Sequence, residues 1–203
     1  MTNNKSKRVL ITDGSSPVGS EAVRHFVARG ATVVFLYNSE QNQAFELSRE
    51  TGALAVRCNA GSMESVRNAM GVIREYLEGE VDVLINNADI EETRINSMYY
   101  CTKPVLHLMI KQGSGSIINV CSCSGNGGLA EKIRHSSARA GAEELTISLA
   151  REMAAKGIRI NCIVSNDKYC SPDSVVNLIE FLASSKARYI SGQSIDINGG
   201  FEL

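Results

Sequence analysis

The side chains able to do chemistry are thinly spread in this sequence, and their spacing restricts what they could do together. Six cysteines stand at 58, 101, 121, 123, 162 and 170, with no C-x-x-C pair. His25, His107 and His135 are scattered, so no tight His/Cys ligand set forms and no metal site is expected. Cys121 and Cys123 lie two apart in an apolar run, which on a strand turns both to one face. The cysteines read as reduced, mostly buried thiols that pack as small hydrophobes. Cys121 beside Ser122 has a nucleophile's atoms but no neighbouring base, so packing is the better reading there too.

The elements that must position these groups alternate in type. Val9–Ile11 is a short apolar run that ends in a Gly/Ser/Pro cluster, and Val18–Arg29 then repeats with helical period until Gly30. Strand-like runs recur at 31–37, 53–58, 81–85, 116–120, 158–164 and 194–197. Helical patterns separate them at 40–50, 63–77, 96–111, 135–156 and 174–184. The rhythm predicts a single domain over residues 1–203, a doubly wound Rossmann-like α/β fold. Its parallel sheet has about seven strands with helices on both faces. In such a sheet ligands sit beyond the carboxyl ends of the strands, so the loops after Ile11, Tyr37, Cys58, Ile85, Val120 and Val164 are where function is expected.

Composition excludes several classes. With 43% apolar and 21% charged residues the chain is neither disordered nor a disulfide-stapled miniprotein. Lys plus Arg total 21 against 22 for Asp plus Glu, which offers no electrostatic case for nucleic acid or an anionic membrane. No window approaches a membrane span, and Met1–Arg8 lacks an apolar signal core, so a reducing cytoplasm is the expected address.

Six stretches carry a resemblance over nearly the whole chain: 11–19 (Ile-Thr-Asp-Gly-Ser-Ser-Pro-Val-Gly), 86–89 (Asn-Asn-Ala-Asp), 115–120 (Gly-Ser-Ile-Ile-Asn-Val), 148–152 (Ser-Leu-Ala-Arg-Glu), 157–161 (Gly-Ile-Arg-Ile-Asn) and 190–200. Their order and spacing resemble a short-chain dehydrogenase/reductase of the 3-oxoacyl thioester reductase branch. The resemblance implies an NAD(P)-dependent oxidoreductase that assembles as a dimer or tetramer. It places the glycines of the phosphate turn at Asp13, Pro17 and Gly19, with Gly14 as a partial replacement, an adenine contact at Asn59, and Asn86 in the cofactor region. Asn59 reads equally well as a turn cap. The catalytic serine, tyrosine, lysine and asparagine of the family fall on Ser122, His135, Arg139 and Arg94, so one of the four is retained. Asn38-Ser39 occupies the cofactor-choice position without an acidic residue.

These departures set the expectations. A proline and a carboxylate in the phosphate turn weaken nucleotide binding, and the substrate lid after Val164 is shortened. The helices 96–111 and 135–156, which pair between subunits in the family, keep an apolar row of Ala138, Ala142, Leu145, Leu149 and Met153. The main reading is a degenerate, non-catalytic pseudoenzyme subunit of a hetero-oligomer. It would support a homologous, catalytically complete subunit that acts on a hydroxyacyl or oxoacyl substrate. On that reading the chain binds no cofactor tightly, and the partner subunit holds the NAD or NADP. Two alternatives stay open: an active NAD(P)-dependent alcohol dehydrogenase or ketoreductase using an atypical His135–Arg139 pair, and a nucleotide-binding module without chemistry.

Overall fold

Strands and helices alternate throughout the computed structural model, which describes residues 6–87, 94–122, 129–166 and 168–200. The strands are β1 (Arg8–Ile11), β2 (Thr32–Tyr37), β3 (Leu54–Arg57), β4 (Val83–Asn87), β5 (Gly115–Ser122), β6 (Ile158–Ser165) and β7 (Ser194–Ile197). They form one sheet in the order β3-β2-β1-β4-β5-β6-β7, and every neighbouring pair is parallel. The helices are α1 (Pro17–Ala28), α2 (Gln41–Thr51), α3 (Met63–Tyr76), α4 (Arg94–Gln112), α5 (Leu129–Met153) and α6 (Pro172–Ala183).

Because the sheet is covered on both sides, its inner strands carry apolar runs that serve both faces, such as Val9–Ile11 and Val83–Ile85. Val9, Ile11, Phe35, Ile85, Ile118 and Ile163 point to one face, against Val23 and Phe26 of α1, Ala44 and Leu47 of α2, and Val176 and Ile179 of α6. Leu10, Val34, Leu36, Leu84, Ile117 and Ile160 point to the other, against α3, α4 and α5. The expected doubly wound sheet of seven strands is therefore present. Strand order runs outward from β1 to β3 and then resumes on the opposite side of β1 at β4. The order therefore switches between β1 and β4, with α1 on one face of the sheet and α4 on the other, the place where doubly wound sheets open a crevice at the carboxyl ends of their strands.

Two details differ from the sequence pattern. Helix α5 starts at Leu129, ahead of the residue-135 start that periodicity suggests, and β5 extends to Ser122. The apolar row of α5 is also used within the chain. Ala142 is fully buried in a small cluster with Met98, Cys121, Cys162 and Val164, with Leu145 packed against it, while Ala150 and Met153 join the larger core. Much of that row packs inside the chain, while Leu145 and Leu149 stay partly exposed. Gly141 lets α4 and α5 cross closely, since a Cβ there would lie 2.2 Å from Cδ1 of Ile95. Among the described residues no helix is long and apolar enough to cross a membrane.

Candidate functional site

The crevice is built from the β1–α1 turn. Ser16 caps α1, its Oγ accepting from the Gly19 N–H at 3.2 Å and donating to the Asp13 carbonyl at 2.9 Å. Asp13 takes the left-handed conformation (φ 49°), which aspartate tolerates better than most residues. The Asn87 side chain, from the end of β4, reaches across the crevice and donates to Ser16 Oγ at 2.8 Å and to the Asp13 carbonyl at 3.3 Å. Thr12 completes the lock: its hydroxyl donates to the Asn87 carbonyl and accepts the Asn87 N–H, at 3.1 and 2.9 Å. The Gly14 N–H donates to the Leu36 carbonyl at 2.8 Å, tying the turn to β2.

The protein accommodates both substituted residues of this turn. Pro17 occupies the first helical turn, where its missing N–H would have had no intrahelical partner, so it does not break the helix start. Gly19 is required for close approach, because a Cβ there would lie 2.1 Å from the Asp13 carbonyl oxygen. Gly14 is equally constrained: its Cβ would lie 2.6 Å from Phe35. No acidic residue occupies the first turn of α1, which leaves the positive end of the helix dipole at the crevice.

The positions expected to carry catalysis come to the same end of the sheet. Ser122 ends β5, opposite Ser165 of β6, and His135 and Arg139 lie one helical turn apart on α5; Arg94 begins α4. The side chains of Arg94, Ser122 and His135 lie outside the described residues. Arg139 is described, and its guanidinium is engaged. Nε donates to Glu143 at 2.9 Å, while the two terminal nitrogens lie 3.0 and 3.1 Å from the Asp196 carboxylate on β7. Ser194 also donates to Glu143, at 2.8 Å, so the group clasps α5 to β7. Burial works against the Arg139 charge, but Glu143 and Asp196 outweigh it and hold the pKa above its ordinary value.

Asn86 and Asn59 are also committed to contacts within the chain. Asn86 is fully buried, and its amide donates to Thr102 of α4 and to Asn119 of β5, both at 2.9 Å. Asn119 donates in turn to Thr146 of α5 at 2.8 Å. This chain of amides and hydroxyls fastens both helices to the strand ends behind the crevice. Asn59 acts as a turn cap, its side-chain oxygen accepting from the Gly61 N–H at 3.0 Å. Thr12, Asn87 and Asn119 lie in stretches that carry the resemblance but had no role assigned to them, and Thr146 was not singled out. The available signal was a polar residue interrupting an apolar strand, as in Ile117-Ile118-Asn119-Val120.

The cysteines behave as packing groups. Cys121 and Cys162 lie 3.7 Å apart between β5 and β6, and the Cys162 thiol is pushed up by its Cys121 hydrogen bond and by burial. Cys101 is pushed up by burial, with Cys58 adding to the effect. Among the described residues no cluster of His, Cys, Asp and Glu could hold a metal ion. Beyond the crevice, residues 166–171 connect β6 to α6 by a short turn closed on Asn166, which accepts the Tyr169 and Cys170 N–H groups, each at 2.9 Å.

Residues 7–166 match the family model of the short chain dehydrogenases. The 3-oxoacyl-acyl-carrier-protein reductase FabG of Vibrio harveyi is 29% identical over 244 aligned positions, covering 99% of both chains. The enzyme of the same name from Escherichia coli K12 is 30% identical, again over 99% of each. D-xylose 1-dehydrogenase of Caulobacter vibrioides is 30% identical over 97% of this chain and 96% of its own. The aligned length of 244 exceeds the 203 residues present, so these relatives carry segments that this chain lacks. The end-to-end likeness is to proteins named as reductases and dehydrogenases. It overturns the expectation of a chain that is inactive alone, a pseudoenzyme within a hetero-oligomer.

Proposed function

The chain belongs to the short-chain dehydrogenase family, and we propose that it is itself an NAD(P)-dependent oxidoreductase that interconverts an alcohol and a ketone. The nucleotide is bound by this chain's own β1–α1 turn and not by a partner's. The observation that carries the reading is the alignment of this chain end to end with named oxidoreductases, supported by the capped N-terminus of α1 beside the switch in strand order. The substrate class is a hydroxyacyl or oxoacyl thioester, in line with the reductases above.

A nicotinamide nucleotide bound at this turn would supply the hydride chemistry between carbinol and carbonyl carbon. The chain supplies the rest. The positive dipole end of α1 would attract the diphosphate to the crevice. His135 stands where the family has its tyrosine, and its imidazole takes the hydroxyl proton during oxidation or delivers one to the carbonyl oxygen during reduction. Arg139, anchored by Glu143 and Asp196, holds this part of α5 against β7 and so positions His135. The Asn86–Asn119–Thr146 chain does the same from beneath the helix.

The test is turnover by the purified chain. 3-Hydroxyacyl thioesters are offered with NAD+ or NADP+, and 3-oxoacyl thioesters with the reduced nucleotides. His135→Ala is expected to lower kcat by roughly a hundredfold or more while nucleotide affinity holds. Absence of turnover in both directions, or an unimpaired His135→Ala variant, overturns the reading.

A further inference from the structure

Helices α3 and α4 cover one face of the sheet, and a groove of about 510 Å³ opens between them. Its floor is apolar, with Met63, Val66 and Met70 from α3 and Tyr100 and Pro104 from α4. Val66 and Met70 belong to the core beneath, while Met63 is 47% exposed. Two residues that helices disfavour line this space. Gly71 sits inside α3, and a Cβ there would meet nothing within 4 Å, so no close contact within the chain calls for glycine. Pro104 sits inside α4 and has no N–H to give the Tyr100 carbonyl. Each weakens its own helix, and Gly71 keeps the groove clear of a side chain.

The walls of the groove are cationic. Arg67 and Arg74 stand about 10 Å apart along α3, and Lys103 lines the groove from α4. Elsewhere in the chain Arg8, Arg24, Arg29 and Arg139 are each paired with a carboxylate. Among the described residues no carboxylate pairs with Arg67, Arg74 or Lys103, and the Lys103 ammonium lies 5.9 Å from the Tyr99 ring centroid instead. Glu64 and Glu75 belong to α3, but no acidic residue lines the groove. His107 lines it as well, with its Nδ1 held 2.8 Å from the Lys103 carbonyl. A concave, mostly apolar space of this size with a few placed charges suits a small molecule, whereas a stable protein partner needs a broader face.

We propose that the α3–α4 groove binds a small amphipathic anion, a fatty acyl chain ending in a carboxylate or a phosphate, at a site separate from the nucleotide crevice. The chain lies along Val66, Met70 and Pro104 in the space over Gly71, and the acidic head pairs with the cations of the walls. Each methylene taken out of water favours binding by about fourfold. An exposed ion pair adds up to about fivefold, so tail and head are both needed for useful affinity.

Calorimetric titration of the purified chain with decanoate and with decyl phosphate, each below its micelle concentration, tests the site and tells the two heads apart. The better of the two is expected to bind at least about tenfold more tightly than decanol, and decyltrimethylammonium is expected not to bind. Gly71→Leu fills the groove with a better helix former and is expected to weaken the anion by at least about tenfold. Gly71→Ala leaves most of the space and is expected to retain binding. Arg67→Gln and Lys103→Gln are each expected to cost about threefold to fivefold. Thermal melts establish that the variants fold. Failure of both anions to bind, equal binding of the cationic decyl chain, or binding untouched by Gly71→Leu overturns the assignment. If the wild-type chain binds neither anion and Gly71→Leu abolishes self-association in sedimentation, the groove is a contact between copies of this chain and the assignment falls.

Discussion

Replacing Asn119 with leucine should show how far the site depends on its buried polar scaffold. Asn119 is 1% exposed, accepts from Asn86 and donates to Thr146, at 2.9 and 2.8 Å. Leucine removes both hydrogen bonds, each contributing about 1 kcal/mol net, and strands one Asn86 N–H away from water at a further cost of about 1–3 kcal/mol. Thr146 keeps its own bond to the Ala142 carbonyl at 2.7 Å, so its hydroxyl is not orphaned. The added apolar burial offsets about one of these losses, which puts the net destabilisation at about 2–3 kcal/mol. Urea unfolding should show the midpoint move with little change in slope. Asn86→Leu should cost a similar amount. The Asn86→Leu/Asn119→Leu double variant should cost at least about 1 kcal/mol less than the two singles combined, because each single leaves a partner unsatisfied that the double removes. Strict additivity, or a loss under about 0.5 kcal/mol for Asn119→Leu, would refute the reasoning.

Gly19→Ala places a methyl group against the Asp13 carbonyl, 2.1 Å away, so the turn must shift; nucleotide affinity should fall by at least about tenfold, with a stability loss of about 1–3 kcal/mol visible in thermal melts. Acid sensitivity should fall on Glu180 of α6. Burial raises its pKa, but Arg29, bonded at 2.5 Å, and His25, 3.0 Å away though off line for a hydrogen bond, together lower it. A depressed carboxyl contributes stability above its unfolded pKa and loses it as pH falls through the folded value. Glu180→Gln should therefore destabilise by under about 1 kcal/mol at pH 7, the site being partly exposed. The difference from wild type should vanish in acid, and a gap that persists below the carboxylate range would count against this pair.

Much of this protein can be read from local pattern. Runs such as Val9–Ile11 and Val33–Leu36, each ended by turn residues and followed by helical periodicity, determine strand and helix in turn. Their alternation admits little but a parallel sheet wound on both faces. The same patterns carried the family resemblance and located the loops that matter. Local pattern said less where it met substituted residues. Asp13 and Pro17 stand where the family has glycines, and the fold accommodates one in a left-handed conformation that aspartate tolerates and the other in the first turn of α1. The apolar row of α5 looked like a surface waiting for a partner, yet Ala142 is spent on the chain's own sheet.

What only the tertiary structure decided is which side chains meet. Thr12 and Asn87, 75 residues apart, lock the phosphate turn, and Arg139 finds Asp196 across 57 residues. Glu40 looks like one more charged residue opening a helix until its carboxylate is seen to bridge Ser39 and Ser15. Periodicity is a property of neighbouring residues and survives in the sequence. A hydrogen bond near 3 Å depends on strand register, helix rotation and rotamer all at once, and these are set by the packing of segments that lie far apart in the chain.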